Sequence, residues 1–264
     1  MLKGALHVHS RYSDGEFTLP ELREIFGAAG CNFLCVTDHS EYFDETRLRE
    51  YVEECGALSS ESFCIVPGLE FSCRERMHVL GYGATFLAKT EEPEEVIRCI
   101  SDEGGISVIA HPKSEAFPWI ESFRVLPKGV ETWNTKYDGR YAPRPGTFAL
   151  LRRLRERKPE MHAFYGQDLH WKKQYKGLLT IIEGTVLRSD LILRALAGGD
   201  YSACKDDLML PADGEISHQM LEKFRHRHDR SDSLRHLAKN LKKTADWIGL
   251  SVPEPLKSHL RRFF

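Results

Sequence analysis

The sequence predicts an α/β fold in which mostly parallel strands close into a barrel covered by helices. Short, nearly all-apolar segments alternate with amphipathic ones about seven times in the first 200 residues, as in sheets buried on both faces. That number of strand–helix units suits a closed barrel, and no Gly-x-Gly-x-x-Gly follows any predicted strand, which argues against an open doubly wound sheet. We expect a barrel domain over residues 1–200. A helical, basic C-terminal extension packed on the barrel should span residues 201–264.

Local signals set the boundaries of these elements. Thr18 and Glu21 have the spacing of a capping box at the start of a helix that should stop at Gly30. Gly104 and Gly105 end another helix before an apolar strand. The predicted helices cover about residues 18–30, 45–58, 93–103, 146–157 and 189–196. The predicted strands cover about residues 3–9, 33–37, 64–72, 78–83, 106–112, 130–134, 163–170 and 178–182.

Composition narrows the class of protein. The chain has 264 residues, of which 41% are hydrophobic and 29% charged, with a net charge of −2; this is ordinary for a globular protein and gives no global attraction to nucleic acid or membrane. No apolar run approaches the ~20 residues that cross a bilayer. The first strand leaves no room for a signal peptide, so we expect a cytoplasmic protein. Seven cysteines without Cys-x-x-Cys spacing indicate buried, reduced thiols.

The first strand carries two histidines separated by one residue, His7 and His9. In a regular strand both imidazoles lie on one face, where they can chelate one divalent ion. The strand then enters a turn that brings the Asp14 carboxylate close to its end. The alternative is a buried strand whose two histidines are hydrogen-bonded.

Further metal-competent side chains recur at the C-terminal ends of later strands, where a barrel carries its chemistry. The set is His39, Glu70, His111, Asp168 and His170, with His78 at the start of its strand. Each has a structural alternative on its own: a turn cap, an ion pair or a strand end. Together with His7 and His9 they include six of the twelve histidines, which indicates a metal cluster.

Four ordered motifs carry a family resemblance. The motifs are His7-Val-His9 with Ser13-Asp14-Gly15, Thr37-Asp38-His39-Ser40, Glu70 with His78 and Ala110-His111-Pro112, and Asp168-Leu-His170. They span about two thirds of the chain, and in this order they resemble the polymerase-and-histidinol-phosphatase (PHP) family of metal-dependent phosphoesterases. The resemblance implies a distorted (β/α)7 TIM-like barrel and a site with three divalent ions.

The resemblance also implies a distribution of ligands. The first ion would take His7, His9, Glu70 and Asp168; Glu70 would bridge to a second ion held by His78 and His111. The third would take Asp14, His39 and His170. Some family members have His where this chain has Asp14, and an oxygen ligand shifts preference toward Mn²⁺ or Fe²⁺ over Zn²⁺. Such ions could activate a bridging hydroxide for attack on a phosphate, so His7, His9, Glu70, Asp168 and His170 are the expected catalytic set.

Phosphate also needs positive donors beside the metals. The candidates just past strand ends are Arg74, Lys113, Lys136 and Arg144, each of which could instead be a solvated surface cation. Glu131 and Asn134 could line the pocket. Trp133, Tyr137 and Tyr141 could offer a stacking face for a ring, although aromatic side chains in such loops often serve packing.

The expected function is hydrolysis of a phosphomonoester, with a small phosphorylated metabolite or a nucleotide as the substrate. Alternatives are an exonuclease or endoribonuclease of the same family, a C–N hydrolase of the amidohydrolase type, or a silent binding module with the same fold. Residues 223–264 carry eleven Lys and Arg against four Asp and Glu. That bias allows nucleic-acid binding, but helical leucine spacing favours the solvated face of a packed helix.

Overall fold

The structure is a computed structural model that describes residues 1–230 and 233. The chain divides into two compact units, Met1–Ile216 and Ser217–Phe264. The first unit holds every element described below except a helix over residues 218–230.

Most helices and strands of the first unit lie close to the predicted positions. The helices are α1 (Leu19–Ala28), α2 (Glu45–Leu58), α3 (Pro93–Asp102), α4 (Phe117–Glu121), α5 (Pro145–Arg155) and α6 (Ser189–Gly198). The strands are β1 (Leu2–Val8), β2 (Phe33–Val36), β3 (Asp38–His39), β4 (Cys64–Val66), β5 (Gly68–Ser72), β6 (His78–Tyr82), β7 (Ile106–Ala110), β8 (Gly129–Asn134), β9 (His162–Gly166), β10 (Leu179–Ile182), β11 (Tyr201–Lys205) and β12 (Leu208–Pro211).

The strands form two six-stranded sheets. The first has the order β12-β11-β10-β1-β2-β4 and the second the order β3-β5-β6-β7-β8-β9. Helices pack on them through apolar faces: α1 buries Leu19, Leu22 and Phe26, whose spacing puts all three on one side of a helix. The α/β class is therefore confirmed.

The sheets are mixed, which corrects the prediction of a parallel sheet. β6 runs antiparallel to both β5 and β7, because the five residues 73–77 are too few for the crossover that a parallel pair requires. β10 likewise runs antiparallel to β1 and β11.

The predicted closure into a barrel is not confirmed among the described residues. The predicted strand over 33–37 ends before Thr37, and β3 follows directly in the other sheet; the predicted strand over 64–72 is interrupted at Pro67, so its two parts, β4 and β5, also belong to different sheets. Proline has no N–H to give to a ladder, which explains the second break. Between β1 and β9, the nearest pairing is a single isolated parallel bridge that joins Val8 to Leu169.

The start of the predicted C-terminal extension is also corrected. β11 and β12 form a hairpin that extends the first sheet, so helix is wrong for residues 201–211. β11 alternates buried and half-buried residues, the period-2 pattern of a strand, and Asp206 adopts a positive φ of 51° in the turn. Residues 218–230 are helical as predicted. The rest of the predicted extension, 231–232 and 234–264, lies outside the described residues.

Two further expectations concern membranes and thiols. Of the helices in the described residues, none combines the length and apolarity needed to span a bilayer. All seven cysteines are free, five of them buried, as their positions in apolar segments predict.

The capping box of α1 offers a test of the local signals. The Thr18 Oγ1 accepts a hydrogen bond from the Glu21 N–H at 3.4 Å, and the Glu21 carboxylate accepts one from the Thr18 N–H at 2.8 Å. Thr18→Ala removes the acceptor and should lower the free energy of unfolding by about 0.5–2 kcal/mol, measured by urea denaturation. Thr18→Ser keeps the hydroxyl and should stay close to wild type; equal losses in both variants would contradict a capping role.

Candidate metal centre

The topology of the second sheet gathers side chains at one edge. His39 on β3 is the direct parallel partner of Glu70 on β5, so both side chains lie on one face. β6 runs antiparallel, and its first residue, His78, pairs with Ser72 at the end of β5 and Ala110 at the end of β7. This explains why His78 stands at the start of its strand and still lies beside residues at strand ends.

A bulge at His7 shapes the end of β1. Its φ is 58°, and the register with β2 shifts between Ala5 and Val8. The regular alternation predicted for His7 and His9 is therefore wrong, because a bulged residue leaves the ladder and turns the strand. The two imidazoles still converge, with ring centroids 5.2 Å apart.

The Glu70 carboxylate lies at the centre of the gathered side chains. Its Oε2 is 3.2 Å from His7 Nε2, 3.2 Å from His9 Nε2 and 3.6 Å from His39 Nδ1. Its Oε1 is 2.7 Å from His78 Nδ1 and 3.1 Å from His111 Nε2. One buried carboxylate therefore faces five imidazoles, divided between its two oxygens.

Two aspartates complete the cluster on either side. Asp168 Oδ1 is 3.2 Å from His170 Nδ1 and 3.7 Å from His9 Nε2. Asp14 Oδ1 is 3.2 Å from His170 Nε2 and 3.7 Å from His39 Nε2. His170 thus lies between the two carboxylates.

The nine side chains predicted as metal ligands all fall into overlapping groups. In each group, one ligand atom per residue lies within 4.8 Å of the others: His9, Asp14, His39 and His170; His7, His9 and Asp168; His7, Glu70 and His111; His39, Glu70 and His78. Overlap of this kind is what shared, bridging ligands require.

Two observations fit a cation in this cluster. Both ring nitrogens of His9 and the Nδ1 of His39 are buried without a hydrogen-bond partner in the part of the chain that the structure describes, although buried polar atoms normally have one. Burial also lowers the pKa of the His9 imidazole to about 3, which keeps it neutral as a metal ligand must be. The donor set of imidazoles and carboxylates suits Mn²⁺, Fe²⁺ or Zn²⁺.

Charge in the cluster is set by its own members. Burial opposes ionisation of Glu70 and Asp168, but the surrounding histidines, His7 first, outweigh it and hold the pKa of both carboxyls well below the usual range. Burial lowers the pKa of His170, whereas hydrogen bonds with Asp14 and Asp168 raise it, to about 9. Because metals and protons compete for these atoms, metal binding should release protons.

Glu131 and Asn134 hold several of the candidate ligands in place through hydrogen bonds. Glu131 Oε1 accepts a hydrogen bond from His7 Nδ1 at 2.8 Å, while its Oε2 accepts one from the His111 N–H at 2.8 Å and one from Asn134 Nδ2 at 2.9 Å. Asn134 Nδ2 also donates to Asp168 at 3.2 Å. The sequence predicted only that Glu131 and Asn134 line a pocket. Gly166 leaves the space that the Glu131 carboxylate fills, since a Cβ there would overlap it.

Asp38 is a positioning residue that the sequence analysis missed. Its buried carboxylate accepts four hydrogen bonds, from the N–H and Oγ of Ser10 and the N–H and Oγ of Ser13. These bonds fix the turn that carries Asp14. Ser13 and Asp38 each belong to one of the predicted motifs, but nothing in the sequence indicated that the two side chains are in contact.

Three candidate ligands have strained backbones. The φ values are 58° at His7, 29° at His111 and 51° at Asp168. Residues other than glycine rarely adopt positive φ values of this kind. Strain of this kind gathers at functional sites, where the surrounding structure holds it.

The four predicted substrate-binding cations lie in different places. The Lys136 Nζ is 2.9 Å from Asp168 Oδ1 and 3.4 Å from His170 Nδ1, so it belongs to the cluster. The Arg74 Nε pairs with Glu92 at 2.8 Å, and its guanidinium lies over the Trp119 ring. Lys113 is exposed. Arg144 is also exposed and lies immediately before α5. A role in binding substrate stays a prediction for all four.

The role of Glu131 can be tested through metal affinity. Glu131→Gln replaces a carboxylate, which only accepts hydrogen bonds, with an amide that has a single acceptor oxygen. The amide cannot accept the hydrogen bonds of His7, His111 and Asn134 together. Loss of such a partner typically lowers metal affinity about 10- to 100-fold, measurable for Mn²⁺ by competition with a chelator. Glu121→Gln, which changes a carboxylate paired with Arg153 on the surface, is the matched control; equal affinities in the two variants would contradict the assignment.

The loop that follows Asn134 contains a buried titratable residue, Asp138. Asp138 accepts hydrogen bonds from the Asn134 N–H at 3.0 Å and pairs with Arg144 Nε at 2.9 Å. Burial raises the pKa of Asp138 to about 7, whereas an unfolded aspartate titrates near pH ~4. The native state therefore binds more protons than the unfolded state between these pH values. The contribution of Asp138 to stability should therefore fall as pH rises from about 4 to about 7, by at most about 1.4 kcal/mol per unit.

Asp138→Asn removes this contribution. Its free energy of unfolding should rise relative to wild type as pH increases from about 4.5 to about 7, measured by urea denaturation at several pH values. Asp206→Asn changes an aspartate that is 75% exposed and should follow the wild-type profile. A constant difference between Asp138→Asn and wild type would show that Asp138 does not titrate in this window.

Comparison with known proteins gives this geometry a context. The chain is 36% identical over 77 residues to the DNA polymerase/3'-5' exonuclease PolX of Bacillus subtilis (strain 168), a match covering 26% of this chain and 14% of that protein. A two-domain protein from Bacteroides vulgatus ATCC 8482, containing a predicted PHP-like metal-dependent phosphoesterase, has a similar fold with a TM-score of 0.53 and 16% identity, over 85% of this chain and 69% of that one. An amidohydrolase from Chromobacterium violaceum with bound sulfate and no metal has a TM-score of 0.51 and 16% identity, over 73% of this chain and 96% of that one.

The family itself follows from a separate match. The model of the PHP domain matches residues 5–140, just over half of the 264 residues. That range holds seven of the nine clustered side chains, and the remaining two, Asp168 and His170, join them in space. The chain belongs to the PHP domain family.

Proposed function

We propose that this chain is a metal-dependent phosphoesterase that hydrolyses a phosphomonoester, such as a small phosphorylated metabolite or a nucleotide. The observation that carries the proposal is the buried Glu70 carboxylate with five imidazoles around it. Its two oxygens face different histidines, an arrangement suited to a carboxylate that bridges two cations. Membership of the PHP domain family supports the same chemistry.

We infer three ions and distribute them according to the side chains near each carboxylate. We place the first on His7, His9, Glu70 and Asp168, and the second on Glu70, His78 and His111. We place the third on Asp14, His39 and His170, which lie together in one of the groups with ligand atoms within 4.8 Å. Divalent ions bound there would screen phosphate charge and lower the pKa of a water molecule toward neutrality.

The protein's own groups have separate tasks in this scheme. Glu70 and Asp168, whose pKa values are held low by the histidines, stay ionised and supply the negative charge that the ions need. Glu131 and Asn134 hold His7 and Asp168 in place. The Lys136 ammonium, 2.9 Å from Asp168 and 24% exposed, is the cation best placed to meet a phosphate oxygen at the cluster.

The test combines metal analysis with phosphate release across a panel of phosphomonoesters. His9→Ala and Asp168→Asn each remove a direct ligand. Since loss of a mere supporting partner costs about 10- to 100-fold, we expect at least about a hundredfold lower activity and less bound metal. His218→Ala and Asp206→Asn change residues that are 90% and 75% exposed and should retain both. Full activity in both ligand variants would refute the cluster assignment.

A nuclease is the second candidate, and the similarity to PolX favours it. The chain covers 14% of that relative, so the exonuclease activity in its name is a hypothesis here. An oligonucleotide arm of the assay separates the two functions: cleavage between nucleotides supports a nuclease, and release of inorganic phosphate alone supports a phosphatase. Turnover restricted to amides would support an amidohydrolase-type reaction instead.

A further inference from the structure

Exposed aromatic side chains lie around the cluster. Among the described residues, the exposed large apolar side chains include Tyr42, Tyr137 and Trp171, which are 49%, 44% and 43% exposed. Each has its ring near an imidazole of the cluster. The centroid distances are 6.4 Å from Tyr42 to His39, 4.7 Å from Tyr137 to His111 and 5.5 Å from Trp171 to His170. We call these three residues the aromatic rim.

Packing alone does not account for the rim. Aromatic side chains that serve packing in this fold are buried: Trp133 is 1% exposed and Tyr51 is fully buried. The rim residues instead leave much of their side chains exposed to solvent while their rings lie near histidines of the cluster. They also come from three separate segments, after β3, after β8 and after β9, and each ring lies near a different histidine of the cluster.

Cations accompany two of the three rings. The Lys136 Nζ lies 5.2 Å from the centre of the Tyr137 ring, and the Lys173 Nζ lies 5.7 Å from the centre of the Trp171 ring. Positive charge next to an exposed aromatic face is the combination that binds a nucleobase together with its neighbouring phosphate. A ring-free phosphoester would need the cations and the metals but would leave the aromatic faces unused.

We propose that the aromatic rim stacks nucleobases, so that the phosphoester delivered to the cluster belongs to a nucleotide unit. The proposal rests on the phosphoesterase function proposed above and narrows its substrate class. The ligand chemistry is a planar base one ribose away from a phosphate, which both a free mononucleotide and the end of a single-stranded oligonucleotide provide. A mononucleotide occupies one ring, whereas an oligonucleotide can occupy more than one.

The experiment uses the full-length, metal-loaded protein and four substrates: a nucleoside monophosphate, a 5'-phosphorylated trinucleotide, the same trinucleotide with abasic sites, and glycerol phosphate. Wild type should prefer the substrates with bases. Tyr137→Ala and Trp171→Ala should each raise KM for those substrates about 5- to 150-fold, the range expected for one lost stacking contact. Glycerol phosphate turnover should fall much less than nucleotide turnover in both variants.

Conservative variants and a binding measurement complete the test. Tyr137→Phe and Trp171→Phe keep an aromatic face and should retain most of the preference. Met209→Ala changes an apolar side chain that is 54% exposed on β12 and is the control for general surface effects. Quenching of Trp171 fluorescence by a nucleoside without phosphate, lost in Trp171→Phe, reports stacking independently of hydrolysis.

The outcomes separate the two proposals. Quenching by the nucleoside with no hydrolysis of any phosphoester would support the rim and refute the phosphoesterase. Hydrolysis of glycerol phosphate and nucleotides with equal kcat/KM, or equal losses on both in the alanine variants, would overturn the rim while leaving the phosphoesterase intact. A stronger effect on the trinucleotide than on the mononucleotide would identify a single strand as the source of the base.

Discussion

The fold and the site both depend on a buried negative charge, the Glu70 carboxylate, which is 1% exposed. A carboxylate in that position is costly unless positive or polar groups surround it. Five histidines from four strands or strand ends perform this task. The antiparallel direction of β6 serves this requirement, because it brings His78 to this edge from the first residue of the strand.

The supporting network extends outward in layers of hydrogen bonds. Glu131 couples His7 on β1 to the backbone of His111 after β7, and Asp38 ties β3 to the turn after β1. These contacts link both sheets through the site. Networks of this kind fix one arrangement of the ligands, since a half-satisfied network in a low-dielectric interior costs free energy.

The sequence predicted which side chains come together better than it predicted the architecture. Ligand positions such as His39 and His111 follow from a local rule, since polar residues that end apolar strands gather at one edge. The direction of a strand depends on the length of the segment that connects it to its neighbour. The five residues 73–77 are too few for a parallel crossover, but the alternation of strand and helix segments along the chain favoured a parallel sheet. The hairpin at 201–211 was missed because its turn residues, Asp206 and Asp207, lack the glycine that marks most tight turns. The orientation of long side chains such as Arg74 depends on distant partners, here Glu92 and Trp119, which no local pattern encodes.

The left-handed backbone at His7, His111 and Asp168 has a consequence for how far this protein can be stabilised. Conformations of this kind cost roughly 1–3 kcal/mol each in a residue other than glycine. Glycine would relieve that cost at each position, but it would remove the imidazole or carboxylate. Stability and side-chain chemistry therefore oppose each other at three identifiable positions. Attempts to engineer a more heat-resistant form have to seek their gains elsewhere in the chain.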